Sequence, residues 1–210
     1  AAIVGGAHEQ KRNSDVHHTF RQRSDLLYLT GFPEPEALAV FTPGKEHAFT
    51  LLCRPRDKDR EIWFGRRAGV EGARERYGAD QAFPISEAPQ RLRELLDGCE
   101  AVYLHPGDEP ELDSLVLATL AGLRREERRG RRAPKRIVDI GAVLHEQRLI
   151  KDDAALRCLR QATAMTAAAH TLAMRATRPG LREYELQALI EYAFRKSGGH
   201  PGYGSIVGAG

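Results

Sequence analysis

The 210-residue sequence has few cysteines and no long apolar run. Cys53, Cys99 and Cys158 are odd in number and far apart, so they form neither a disulfide framework nor a zinc knuckle. No stretch reaches the roughly 18 consecutive apolar residues of a transmembrane helix. The start of the sequence also lacks the apolar segment of a signal peptide. We therefore predict a cytoplasmic protein that has no membrane partner.

A large excess of charge of one sign is also missing, since the formal net charge is only +3. Together with 41% hydrophobic residues, this balance argues against extended disorder. The basic residues are mostly arginine, 26 against 6 lysines, and are spread along the chain. The one basic cluster, residues 124–136, includes Glu126 and Glu127 and has no aromatic residue. We therefore predict a solvated loop there and no nucleic-acid partner.

Short apolar runs alternate with helical patterns up to about residue 150. Residues 1–20 are polar and lack periodicity, which predicts a mostly irregular arm. Runs bounded by turn residues predict strands at residues 26–30, 37–41, 48–53, 61–64, 101–104 and 137–140. Apolar spacings of three and four predict helices at residues 70–77, 86–96 (capped by Ser86), 112–123 and 142–149. The alternation indicates a mixed α/β sheet domain.

The pattern changes after Lys151. Asp152 is suited to cap a long, alanine-rich helix that ends at residues 179–180. A second helix carries an apolar stripe over residues 186–194, and residues 205–207 are typical of a strand. Two helices and a strand do not close a core of their own. We therefore predict two domains, residues 1–150 and the beginning of another over residues 151–210.

Several familiar motifs fail on spacing. His145-Glu146 begins a zinc-binding HExxH pattern, but Leu149 occupies the place of the second histidine. The glycines of residues 202–210 miss the GxGxxG spacing of a dinucleotide-binding loop. Trp63, the only tryptophan, follows Ile62 and is either a core residue or an exposed aromatic platform, between which periodicity does not decide.

Six segments, spread over nearly the whole chain, form the most specific pattern. They are residues 24–32 (SDLLYLTGF), 34–37 (EPEA), 61–69 (EIWFGRRAG), 145–151 (HEQRLIK), 178–180 (RPG) and 203–208 (YGSIVG). In this order they resemble bacterial Xaa-Pro aminopeptidase (aminopeptidase P), of the creatinase/prolidase-like metallopeptidase family. The resemblance implies an α/β fold: a mixed-sheet creatinase-like N-terminal domain, followed by the first helices and strand of a pita-bread catalytic domain.

The resemblance also implies an activity. Family members are homo-oligomeric hydrolases that release the N-terminal residue from peptides with proline at the second position. They use two divalent metal ions, typically manganese, whose ligands follow the point that matches Gly210. We therefore expect no catalytic residue, no metal ligand and no cofactor in this chain, and no hydrolysis by this chain alone.

Three residues receive a role from the resemblance. In the family, the tryptophan of the segment matching residues 61–69 reaches a neighbouring subunit's active site. Trp63 is therefore expected to shape a substrate pocket in trans, with simple core packing as the alternative. Asp25 and Arg148 fall where the resemblance implies a polar network that links domains and subunits. Ordinary surface ion pairing is the alternative for these two residues.

Two other functions remain open. The chain is a non-catalytic assembly or interaction module if its reading frame stops after Gly210. Prolidase, the related Xaa-Pro dipeptidase, is a rival within the same family, although the EIWFGRR segment favours the aminopeptidase. The preferred first residue of the peptide, the native metal and the oligomer size are not fixed by the sequence.

Overall fold

The first residues of the chain lie at the centre of a β-sheet. In the computed structural model, which describes residues 1–208, β1 (Ala2–Gly5) pairs with a strand on each side. Ile3 and Val4 are buried in different core clusters, because successive side chains of a strand point to opposite faces. The predicted irregular arm over residues 1–20 is therefore wrong at its start. A run of four residues is too short to show a period.

The remaining strands complete a mixed sheet. Residues 11–17 form a separate small hairpin, and the other strands join β1; the bounds are β2 (Lys11–Asn13), β3 (Val16–His17), β4 (Leu38–Phe41), β5 (Phe49–Cys53), β6 (Gln81–Pro84), β7 (Ala101–Leu104) and β8 (Arg136–Asp139). The order of the six-stranded sheet is β6-β5-β4-β1-β7-β8. β4 is antiparallel to β1 and β5, whereas the pairs β5–β6, β1–β7 and β7–β8 are parallel. Four predicted strands are confirmed, and β6 was not predicted.

Helices cover both faces of this sheet, and two further helices occupy most of residues 153–196. The helix bounds are α1 (Ser24–Thr30), α2 (Lys58–Phe64), α3 (Gly69–Tyr77), α4 (Ala88–Leu96), α5 (Pro110–Arg125), α6 (Gly141–Leu149), α7 (Asp153–Ala176) and α8 (Glu183–Lys196). Ser86 does not cap α4, because it lies in the 3-10 turn Ile85–Glu87 that precedes this helix. None of the helices in residues 1–208 combines the length and apolar character that a bilayer crossing requires.

Two segments predicted as strands are helices. In α1, Leu26 is buried, while Gly31 ends the helix at φ 66° and donates its N–H to the carbonyl of Leu27. In α2, Asp57 caps the first turn by accepting from the N–H of Arg60. Short apolar runs do not distinguish a strand from a buried helical turn, so capping decided both cases.

Residues 1–147 have a core on each face of the sheet. One face packs on α4 and α5, through a cluster that includes Leu92, Leu96, Leu120 and Leu123. The other packs on α1, α3 and α6 through a second cluster, whose members include Leu26, Phe32, Ala73, Ile140 and Leu144. This helix–sheet–helix layering buries the apolar faces of every central strand.

A second unit begins at Arg148. Asp152 caps α7 as predicted, because its side chain accepts from the N–H of Ala155 at 2.7 Å. α7 packs along α8. Residues 205–207 are not a strand, which corrects the prediction. The Ser205 hydroxyl instead donates to the Glu191 carboxylate at 2.7 Å.

Candidate functional site

Trp63 lies on the surface. It is the penultimate residue of α2, and 83% of its surface is exposed. The residues on either side of it, Ile62 and Phe64, are 76% and 64% exposed. Core packing is therefore not what Trp63 does in this chain. Three consecutive large apolar side chains instead form a projecting apolar ridge, which we call the α2 ridge (Ile62–Phe64).

Hydrogen bonds to charged side chains anchor the residues that flank the α2 ridge. Glu61 receives two parallel hydrogen bonds from the Arg56 guanidinium, at 2.9 and 2.7 Å, and a third from the N–H of Arg67 at 3.3 Å. Bidentate pairs of this kind are geometrically specific. The Arg56 hydrogen bonds, with the N–H of Arg67, lower the pKa of Glu61 to about 2. A further carboxylate, Glu34, accepts from the N–H of Ala68 at 2.6 Å. The residue before the ridge and the segment after it are thus both anchored by hydrogen bonds.

Asp25 lies in the first turn of α1, where a carboxylate is favoured by the helix dipole. Its side chain is mostly shielded, with 19% exposed. The Asp25 Oδ2 atom lies 2.9 Å from Nε2 of His105, the residue that follows β7. The other ring nitrogen of His105, Nδ1, lies 3.3 Å from Oδ1 of Asp139 at the end of β8. One imidazole therefore faces two carboxylates.

Separate sequence signals exist for these residues, but none of them shows that the side chains converge. β7 and β8 are parallel neighbours, so their carboxyl ends lie at the same edge of the sheet. A polar residue stands at this end of each strand, His105 for β7 and Asp139 for β8. The sequence signal that His105 and Asp139 share is therefore a polar residue at the carboxyl end of a strand. The sequence by itself predicts only a strand-end cap for His105.

A polar cleft of about 300 Å³ opens beside Asp25, at the carboxyl ends of β1 and β7. It is also lined by Arg23, His105, Asp108 and Glu109. Glu109 lies over Gly5, where a Cβ would stand 2.7 Å from its carboxylate oxygen. Burial raises the pKa of Glu109, and the positive charge of Arg23, whose guanidinium lies 2.8 Å away, opposes that rise.

Arg148 lies in the last turn of α6 and is half-buried. This residue belongs to the second unit, whereas Asp25 belongs to the first. The network that was predicted to include both residues therefore stays a prediction.

The other candidate chemistries have ordinary structural explanations. Arginines of the basic segment pair with carboxylates: Arg131 with Asp97, and Arg136 with Glu100. Cys53 is buried, and burial, reinforced by the nearby Glu34, raises the pKa of its thiol to about 12. Across residues 1–208, no three His, Cys, Asp or Glu side chains are grouped so as to hold a metal ion. The residues present do not provide the donor set of a two-metal centre.

Known proteins are similar to this chain in both sequence and fold. Residues 1–103 match the family model "Aminopeptidase P, N-terminal domain", and residues 157–210 match "Metallopeptidase family M24". The predicted resemblance to aminopeptidase P is confirmed. The chain is 41% identical to Xaa-Pro aminopeptidase of Escherichia coli over 213 aligned residues, and 37% identical to that of Haemophilus influenzae over 205.

These alignments take in 100% and 96% of this chain but only 48% and 45% of the relatives, so the chain spans about half their length. The fold resembles the aminopeptidase PepP structure from Pseudomonas aeruginosa with a TM-score of 0.89 and 44% identity. That match covers 94% of this chain and 45% of the solved chain. The mixed α/β fold class predicted from the sequence is therefore confirmed.

Proposed function

We propose that this chain is the N-terminal portion of a cytoplasmic, metal-dependent aminopeptidase that releases the first residue from peptides with proline in second position. The observation that supports this most is the 41% identity to a protein named Xaa-Pro aminopeptidase over the full length of the chain. The three free cysteines, one of them fully buried, suit a reducing compartment.

The hydrolytic chemistry is assigned to the part of the parent protein outside this chain. When bound there, two divalent ions, manganese by preference, activate a water molecule as the nucleophile. The residues described in this chain do not form that donor set, and we assign them binding and positioning roles only. We expect no hydrolysis by the 210-residue chain alone.

The α2 ridge is proposed to act in a homo-oligomer, with Trp63 entering the substrate pocket of a neighbouring subunit. Tryptophan is well suited to such a role, because it offers a large apolar surface with one polar tip. Its 83% exposure leaves that surface available, and the Arg56–Glu61 pair holds the helix that presents it.

Asp25 and Arg148 are proposed to belong to a polar network near the same pocket. Asp25 supports this with its shielded carboxylate at the rim of the polar cleft. Shielding from water strengthens hydrogen bonds to a charged group, and the removal of one partner then costs more than it does at an open surface.

An activity assay tests the proposal. The complete parent protein is expected to cleave Arg-Pro-Pro after the first residue, and to leave Arg-Ala-Ala uncleaved. Chelation should abolish turnover, and added manganese should restore it. Preferential cleavage of Xaa-Pro dipeptides over tripeptides would favour prolidase instead. No turnover by a metal-loaded parent would favour a non-catalytic assembly module.

Substitutions in the α2 ridge test the role of Trp63. Trp63→Ala in the parent should raise the KM for Arg-Pro-Pro by about tenfold, since a buried aromatic anchor is worth 1–2 kcal/mol or more. Trp63→Phe should recover part of that loss. Leu117→Ala, which removes an exposed apolar side chain of α5 outside the ridge, is the matched control. An unchanged KM and an unchanged sedimentation profile for Trp63→Ala would refute the role in trans.

A further inference from the structure

His105 connects three parts of the first unit. Its Nε2 atom lies 2.9 Å from Asp25 of α1, and its Nδ1 atom lies 3.3 Å from Asp139 of β8. Asp139 in turn accepts from the N–H of Gly141, the first residue of α6, at 2.8 Å. The Asp25 carboxylate is thus linked through one imidazole to a second carboxylate that the backbone of α6 already holds.

The surroundings of the ring are mainly acidic. Asp25 faces it from α1, Asp139 from β8, and the His145 ring of α6 stacks on it at 6.5 Å between centroids. The adjoining cleft adds Asp108, Glu109 and Arg23. A carboxylate only accepts hydrogen bonds, so an imidazole with a proton on each nitrogen satisfies both acids at once. A neutral ring satisfies only one.

Three side chains crowd the space at Gly141, beside the ring. A Cβ added at Gly141 would lie 3.1 Å from Oδ1 of Asp139, 3.2 Å from Cε1 of His145 and 3.4 Å from Cε1 of His105. The side chains of Asp25 and His105 are also largely shielded, with 19% and 23% exposed. The Asp139 side chain is more open, with 64% exposed. The short, shielded Asp25–His105 pair loses less freedom on pairing than a flexible lysine–glutamate pair at an open surface.

We propose that His105 is a positioning residue, which fixes the Asp25 carboxylate at the rim of the polar cleft by bridging it to Asp139. Asp25 lies in the first turn of the seven-residue α1. The bridge ties that turn to the end of β8. This inference rests on the proposed function, in which Asp25 belongs to a polar network near the substrate pocket.

A nuclear magnetic resonance experiment on the 210-residue chain tests the bridge without reference to activity. With ¹⁵N-histidine labelling, the chemical shifts of the two ring nitrogens of His105 report on their contacts with Asp25 and Asp139. His105→Gln assigns the signals. Asp25→Asn should shift Nε2 and Asp139→Asn should shift Nδ1. If either substitution leaves its nitrogen unmoved, the bridge is refuted.

Kinetics of the complete parent enzyme test the consequence. His105→Phe keeps a ring but removes both donors, and should raise the KM for Arg-Pro-Pro about three- to tenfold with kcat changed less than about twofold, since it disturbs binding rather than chemistry. His105→Gln retains a donor and should recover part of the loss. His145→Ala, which removes only the stacked neighbour, should leave KM within about twofold. Thermal melts should show that each variant is folded.

A double substitution separates this inference from the proposed function. If His105 acts through Asp25, the double variant Asp25→Asn/His105→Phe should have the KM of Asp25→Asn alone. A raised KM for Asp25→Asn with a normal KM for His105→Phe overturns the positioning role and leaves the proposed function intact. Absence of Xaa-Pro hydrolysis by the wild-type parent overturns the proposed function instead, and the ring-nitrogen shifts then decide the bridge by themselves.

Discussion

The two units of this chain bury their apolar residues very differently. The first, residues 1–147, has a two-sided sheet whose central strands are enclosed by helices on both faces. In the second, among the residues that the structure describes, Ala169 is the sole buried apolar residue. Leu159 and Met174 of α7 are 50% and 69% exposed. The two units therefore differ in what holds them together.

The two units therefore depend on different sources of stability, a buried core in the first and local helix stability in the second. The first unit is stabilised chiefly by buried apolar area, at about 25 cal/mol per Å². The second depends much more on helix capping, alanine-rich propensity and the contact of α7 with α8. Damage to the core should therefore destabilise the first unit strongly, and equivalent truncations in the second should cost little.

Thiol reactivity should show the largest contrast between the units. Cys53 is buried with a pKa of about 12, whereas Cys158 is exposed on α7. In a reaction with a disulfide reagent the thiolate is the attacking group, so at pH 8 Cys158 should react at least about a thousandfold faster than Cys53, which reacts only on unfolding. Labelling followed by peptide mass spectrometry measures both rates. Comparable rates would mean that Cys53 is as accessible as Cys158 and that the first unit does not enclose its core.

Leucine truncations should give the next largest effect. Leu92→Ala removes a fully buried side chain from the core, and should lower the free energy of unfolding by about 2–5 kcal/mol. Leu159→Ala, at a half-exposed position of α7, should cost less than about 1 kcal/mol. Urea titrations followed by circular dichroism report both values. A cost for Leu159→Ala that equals that of Leu92→Ala would erase the distinction between the units.

Loss of a helix cap should affect the second unit more than the first, which is the opposite of the effect of leucine truncation. Asp152→Ala removes the cap of the 24-residue α7 and should cost about 1 kcal/mol of local stability. Asp57→Ala removes the same kind of cap from the seven-residue α2. Only the first should reduce the far-ultraviolet helix signal measurably, because α7 is much longer. Asp152→Asn, which keeps an acceptor, is the control.

Carboxylate titration should give the smallest effect. The Arg56 hydrogen bonds hold the pKa of Glu61 at about 2, and hydrogen bonds from Ser205 and Gln187 lower the pKa of Glu191 in the second unit. A carboxyl group with a lowered native pKa stabilises the fold above its unfolded pKa of about 4.3, and this stabilisation disappears as the pH falls through the native value. Order in the α2 ridge should therefore decline between about pH 4 and pH 2.

Carbon-detected titration of the side-chain carboxyls measures both pKa values directly. Glu61→Gln should remove the acid-dependent step in the fluorescence of Trp63, which is the single tryptophan of the chain. A Glu61 carboxyl that titrates near its ordinary pKa of about 4.3 would show that the Arg56 pair does not persist in solution.

Much of the fold could be predicted from the sequence, and the failures share a cause. Helices with several periodic apolar residues, such as α5, and strands bounded by clear turn residues, such as β5, were located to within a few residues. The errors fall on short runs: β1 has four residues, and α1 and α2 have seven each. Over such lengths, periods of 2 and 3.6 are hardly distinguishable, so tertiary burial or a cap decides.

The candidate site could likewise be predicted only in part. The resemblance pointed to Trp63, Asp25 and Arg148, but no pattern could show that Trp63 projects into solvent or that Asp25 meets His105. The contact of Asp25 with His105 joins residues 80 positions apart and depends on the strand order. Long-range pairing of this kind follows from topology, which a single sequence specifies only indirectly.

The place of β1 has a consequence for synthesis on the ribosome. One of the two partners of this strand, β7, is translated about a hundred residues later, and the nitrogen of Ala1 donates to the carbonyl of Ala101. The central ladder cannot close until β7 has left the exit tunnel, so the nascent chain carries a partly unpaired apolar strand throughout that interval. Slow translation before residue 104 would prolong the exposure, and a chaperone that holds extended apolar segments would find its binding site in β1 long before the sheet is complete.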